Sequence, residues 1–170
     1  MSDWRNWQTA FLQQARCDWD AYQRTRQTTW PSCHRLLFLQ MATEKLSKAL
    51  LVAGHSKLET ISQSHAAFVN FMRVVGDNRK LQEALGMKKA QLRARFKRLL
   101  PLAYAIELLA PALARGGPNP EYPWKDVADN VLAPVNYLFP LMYQLQKTPQ
   151  GIQLLKYIEI FILRFEEFFI

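Results

Sequence analysis

Apolar residues recur at steps of three and four along most of this chain, the mark of helices that bury one face. From about Asp3 to Gln27 the series Trp4, Trp7, Phe11, Ala15, Asp18/Trp19 and Tyr22 keeps that step. Trp30-Pro31 ends the connection. A second helix is expected from Ser32, a candidate N-cap, to Gly54, a candidate left-handed C-cap, with Leu36, Leu39, Leu46, Leu50 and Ala53 as its buried stripe. A third is expected from Ser62 or Ser64 to Val75, stopped by Gly76; Asp77 then stands where an N-cap would open a short helix through Leu85, ended by Gly86.

Lys88 to about Arg115 keeps helical spacing, but Pro101 and Pro111 each remove a backbone donor and crowd the preceding turn, so a kink or two shorter pieces are expected. Gly116 to Trp124 holds three prolines and two glycines, which breaks any repeating backbone bond pattern and predicts a stiff loop anchored by Tyr122 and Trp124. Residues 125–130 read as loop or turn. Tyr137 to Lys147 and Pro149 to Ile170 read as two closing helices, the second opened by Thr148 as N-cap with Pro149 at the first helical position. No strand pair with hairpin chemistry and no internal repeat is evident. The fold class this predicts is all-α: one antiparallel helical bundle over 1–170, with four to five core helices, a proline-rich excursion and additional C-terminal helices.

With 170 residues and 49% hydrophobic composition, the chain can bury one sizeable core without metals or disulfides. Cys17 and Cys33 lack metal or disulfide spacing and are read as free thiols; no metal site and no cofactor is expected. The amino terminus has no apolar signal segment, and charges interrupt the two most apolar stretches, so a cytoplasmic protein without membrane contact is expected. Charge changes the picture more. Of a net charge of +8, the segment Arg73 to Arg98 holds +7, from nine Lys/Arg against Asp77 and Glu83. A field concentrated in this way attracts a polyanion.

The stretch from Trp30 to Met72 contains A-x-E-K-x-x-K-A-L-L across Ala42 to Leu51, followed by a Ser64-His65 pair before another amphipathic run. It resembles the HEPN domains (higher eukaryotes and prokaryotes nucleotide-binding) of bacterial proteins. The resemblance implies a helical domain that binds a nucleotide or RNA, or regulates a nucleic-acid-acting partner, and that commonly forms a homodimer. Glu44, Lys45, Lys48 and His65 match its conserved block and are the candidate ligand-binding residues. Two lysines beside a carboxylate can grip a phosphate; the competing reading is a solvated face on which the Glu44–Lys48 pair adds only about 0.2–0.5 kcal/mol. A helix-opening His65 would feel the positive end of the helix dipole and stay neutral.

HEPN ribonucleases resemble one another in an Arg-x(4–6)-His motif late in the bundle, which supports cleavage through the RNA 2′-hydroxyl. The histidines here are His34, His55 and His65, none of them in the last helices, and Arg26 and His34 straddle Trp30-Pro31. The expected state is therefore non-catalytic, with no catalytic residue assigned; a HEPN-type ribonuclease toxin is an alternative. No Walker-type, dinucleotide-binding, zinc-protease or nucleophile-elbow motif occurs.

Leu81 to Leu99 also resembles the helix-turn-helix of bacterial transcription regulators, with Gly86 at the turn and Leu92 and Phe96 facing inward. Lys88, Lys89, Arg93, Lys97 and Arg98 are the candidate nucleic-acid contacts on either reading. The Leu154 to Phe169 stripe, wide for one small bundle, either lines a dimer contact or completes the core of a single subunit.

Overall fold

The computed structural model describes residues 3–54 and 65–170. Among them, nine α-helices and one small hairpin follow one another: α1 Asp3–Thr25, α2 Ser32–Leu51, α3 Phe68–Val75, α4 Arg79–Leu85, α5 Lys89–Glu107, α6 Pro111–Ala114, β1 Trp124–Lys125, β2 Val131–Leu132, α7 Pro140–Lys147, α8 Pro149–Leu163 and α9 Phe165–Phe169. The all-α bundle expected from the periodicity is the architecture found. No helix among the described residues is long and apolar enough to cross a membrane.

α1 and α2 form the most extensive pair. Gln8 Nε2 donates to the Ala49 carbonyl at 2.9 Å, while Asp18, further along α1, meets Lys45, earlier on α2. The two helices therefore run antiparallel. α8 lies against α1, α5 and α7, and α3 packs on α5. Tyr22, Leu36, Leu39, Phe71, Phe96 and Phe161 are closed off from solvent where these elements meet. Phe161 holds rings on several sides, edge-on to Phe71 at 5.5 Å and stacked with Tyr157 at 5.8 Å between centroids. Such contacts add to simple burial because ring edges and faces carry opposite partial charge.

Several boundaries differ from the sequence expectation, each for a local reason. Pro31 rather than Ser32 precedes α2, and the helix closes at Leu51 with Val52 as its right-handed cap, followed by a tight 3-10 turn over Val52–Gly54. The helix that ends at Val75 opens at Phe68, with His65 in a bend before it; residues 62–64, where the sequence placed its start, fall outside the described part. Asn78, not Asp77, caps α4: its Oδ1 accepts from Leu81 N at 2.8 Å, while Asp77 is drawn off by Arg93. α5 continues through Pro101, although the Lys97 carbonyl loses a partner there, because Leu99, Ala103 and Ile106 are fully buried around it. The break comes before Pro111, which opens α6. Gly86 caps α4 in the left-handed region at φ +60°, as the sequence suggests.

The two-residue strands were not expected. They pair Trp124 with Leu132 and Lys125 with Val131. The Asp126 side chain builds the turn, accepting from Ala128 N at 2.8 Å and Asn130 N at 2.9 Å. A ladder this short leaves no alternating pattern to read. Trp124 folds under the excursion, edge-on to Tyr137 at 5.0 Å, whereas Tyr122 stays exposed. Tyr137 to Phe139 are extended rather than helical, and α7 starts at Pro140. The last helix is interrupted at Arg164. Of its stripe, Leu154, Ile158, Phe161, Ile162, Phe165 and Phe168 are buried within the chain itself and complete its core, while Leu155 and Phe169 are half-buried.

Asn78 also ties the far end of the molecule down, since its Nδ2 donates to the Phe168 carbonyl at 2.8 Å. Asn78→Ala should lower unfolding free energy by about 1–2 kcal/mol, through the lost cap and this second bond. Urea titration checks it, and Asn78→Asp, which keeps only the acceptor, should recover the cap's share.

Candidate functional site

The HEPN-matched residues lie on α2, where the helix turns its polar edge toward α1. Glu44 is the hub. Lys48 Nζ stands 2.7 Å from its Oε1, and Gln40 Nε2 donates to Oε2 at 2.8 Å. His65 Nδ1 lies 3.1 Å from the same Oε2; since an ionised carboxylate only accepts, the ring proton belongs on Nδ1. Burial alone would raise the Glu44 carboxyl, but the hydrogen bonds from Lys48, His65 and Gln40, with the Lys48 charge, outweigh it and hold the group below its ordinary range.

Lys45 turns the other way, as its position roughly 100° around the axis requires. Its Nζ lies 3.0 Å from Asp18 Oδ2 on α1, and Gln14 donates to Asp18 Oδ1 at 3.0 Å. The structure thus brings Glu44, Lys48 and His65 together and sends Lys45 to a separate carboxylate. Asp18 is the residue that sequence reasoning passed over, although it sits on the apolar stripe of α1 beside Trp19. A carboxylate on a buried face, here 4% exposed, needs a cation.

This arrangement changes what the two lysines can do. Lys48 is itself only 4% exposed and passes 5.9 Å above the Phe11 ring. Each lysine is already matched by a carboxylate, so an incoming phosphate would have to displace a bonded group. The geometry makes this cluster a clamp joining α1, α2 and the segment that opens α3. Glu107 does similar work nearby: Oε2 accepts from Val69 N at 3.0 Å, satisfying a free donor in the first turn of α3.

The second candidate group is the outer face of α5. Leu92, Phe96 and Leu99 are buried, and Lys88, Lys89, Arg93, Lys97 and Arg98 are all exposed on the other side. Asp77 takes two of them. Arg93 grips it with both nitrogens at 2.6 and 2.8 Å, and Lys89 stands 3.2 Å away. The Arg93 hydrogen bond is the main reason the Asp77 carboxyl sits below its usual range. Lys88, Lys97 and Arg98 have no carboxylate within ion-pair reach among the described residues. Arg95, half-buried, donates instead to the Tyr157 hydroxyl at 3.1 Å and is structural. No protein-family model, curated protein or solved structure matches this chain.

Cys17 and Cys33 are free thiols, the first exposed and the second buried. Among the described residues no group of three or more His, Cys, Asp or Glu side chains is arranged to hold a metal ion.

Proposed function

We propose that this chain is a HEPN-like, non-catalytic helical domain that binds RNA or a nucleotide-bearing partner through the outer face of α5. The observation that carries the reading is the contrast between its two groups of cations. Lys45 and Lys48 are neutralised by Asp18 and Glu44, whereas Lys88, Lys97 and Arg98 are exposed and unmatched on a helix anchored by its apolar side. Unmatched surface cations cost little to desolvate, and each phosphate they neutralise releases counterions. In this reading the Glu44 cluster shapes the domain, and α5 meets the ligand.

Fluorescence anisotropy with labelled single-stranded RNA, at low and high salt, tests it. Lys97→Gln/Arg98→Gln should weaken binding about ten-fold and reduce the slope of log K against log salt by roughly 1 to 1.5, since each single-strand phosphate contact carries about 0.7. Binding that ignores salt, or survives the double substitution unchanged, would sink the proposal. Steady cleavage of the RNA by pure protein would replace it with the ribonuclease alternative.

One observation favours a second reading, duplex DNA. α4 and α5 are joined through Gly86 in the left-handed conformation, the connection that a helix-turn-helix needs, with Arg93 and Lys97 on the outward side of the second helix. Tighter binding of duplex DNA than of single strands in the same assay, lost on Lys97→Gln/Arg98→Gln, would select it.

A further inference from the structure

A pocket of about 580 Å³ opens where the end of α1, the first turns of α2, the end of α7 and the middle of α8 come together. Four cations line it, Arg26, Arg35, Lys147 and Lys156, with Glu159 as the one carboxylate and Trp19 in its wall. None of the four cations makes an ion pair among the described residues, and neither does Glu159. Like charges lining one concavity repel one another and focus a positive potential into it.

Two of these charges have an explanation within the fold. Arg26 and Lys147 stand at the C-terminal ends of α1 and α7, where exposed carbonyls favour a cation. Arg35 and Lys156 do not. Arg35 sits near the opening of α2, the end at which a helix disfavours positive charge. One of its terminal nitrogens donates to the Thr28 carbonyl at 3.0 Å, but its Nε is buried with no acceptor. The Tyr22 hydroxyl, close enough to feel the charges of Arg26 and Arg35, is buried without a partner as well. Tyr22 lies behind the wall of the pocket and Arg35 on it, and four cations around one concavity with a single carboxylate among them are an unfavourable arrangement that an anion with several oxygens would relieve.

We propose that this pocket is a binding site for a small multivalent phosphate, either free or carried on a nucleotide. Its volume lies in the usual range for small-ligand sites, and two guanidiniums can each hold two phosphate oxygens while the lysines add charge. Four cations against Glu159 leave the lining with an excess of positive charge, which a polyanion matches better than a singly charged anion, so the site favours diphosphates and triphosphates. The pocket shares no residue with the α5 face and goes beyond the function proposed for that face.

Calorimetric titration of the full chain with inorganic phosphate, pyrophosphate and ATP tests it. Pyrophosphate and ATP should saturate one site and bind more tightly than phosphate. Lys147→Gln/Lys156→Gln should weaken both about ten-fold, the loss expected when charge-assisted contacts worth about 1.5 kcal/mol are removed. Both lysines are exposed, so the melting temperature should fall only slightly, through the loss of Lys147 at the end of α7. Arg35→Gln should weaken binding further. Equal affinity for pyrophosphate and ATP identifies the phosphate chain as the recognised group, and a clear preference for ATP identifies a nucleotide. No saturable heat with either, or unchanged binding in the Lys147/Lys156 double variant, overturns the proposal. Lys97→Gln/Arg98→Gln should leave these titrations alone while reducing RNA binding, so the two sites fail independently.

Discussion

Gly151→Ala is expected to destabilise the protein by roughly 3 kcal/mol or more. Gly151 lies in the first turn of α8, where that helix crosses closest to α7. A Cβ at this position would stand 2.0 Å from the Gln144 carbonyl oxygen and 2.5 Å from the Leu145 Cα. Both are backbone atoms, so no rotamer change relieves the clash, and the two helices must separate. Leu145, fully buried beneath the crossing, would lose its packing. Helix propensity points the other way, because alanine inside a helix is favoured over glycine by about 1 kcal/mol. Urea titration of the two proteins therefore decides the sign. A higher midpoint for the alanine variant would mean that α7 and α8 do not approach as closely as described.

Glu44→Gln is expected to cost about 3 kcal/mol at neutral pH, because it removes the carboxylate bonded to Lys48 in a place with little access to water. The two side chains are only 12% and 5% exposed. The loss should shrink when Lys48→Met is added, since much of the penalty belongs to the buried ammonium rather than to the missing bond. The pH dependence follows from the direction of the Glu44 shift. Its folded-state pKa lies below the ordinary value of 4.5, so the folded state holds the proton less readily than the unfolded chain. Stability from this group is then fully present above that ordinary value and lost as pH falls through the lower folded value. As pH falls from about 5 through the lowered folded-state value, the difference in unfolding free energy between the native protein and Glu44→Gln should narrow. Denaturant midpoints measured across that window check it; a constant gap would show that Glu44 is not held ionised by its neighbours.

Much of the helical content was legible because three- and four-residue apolar spacing reports one buried face whatever lies against it. Trp19, Leu36, Leu92, Phe96 and Leu154 were placed inward on that basis, and they are buried. Proline at 149 and glycine at 86 marked helix ends because backbone geometry at those residues is a local property. The misses share a different cause. Asp77 and Asn78 are equally good caps by residue type, and Arg93, sixteen residues on, draws Asp77 away and leaves Asn78 to cap α4. Pro101 reads as a breaker, yet α5 runs past it because buried neighbours outweigh one lost hydrogen bond. The α2 lysines showed the same limit. Glu44 and Lys48 were paired correctly from their i,i+4 spacing, but nothing in the spacing told that Asp18 on another helix would claim Lys45.

The sequence by itself determined most of the helical segments and most of their inward positions, though not Trp7 or Ala53, which are exposed, and that the positive charge gathers between Arg73 and Arg98. Those properties follow from steric and hydrophobic preferences acting within a few residues of one another. Only the tertiary structure decided which cations are neutralised and which are left exposed, and it alone assembled Arg26, Arg35, Lys147 and Lys156 around one pocket. Ion pairing depends on distances of a few ångströms between residues far apart in the chain. Those distances come into being only when the helices pack.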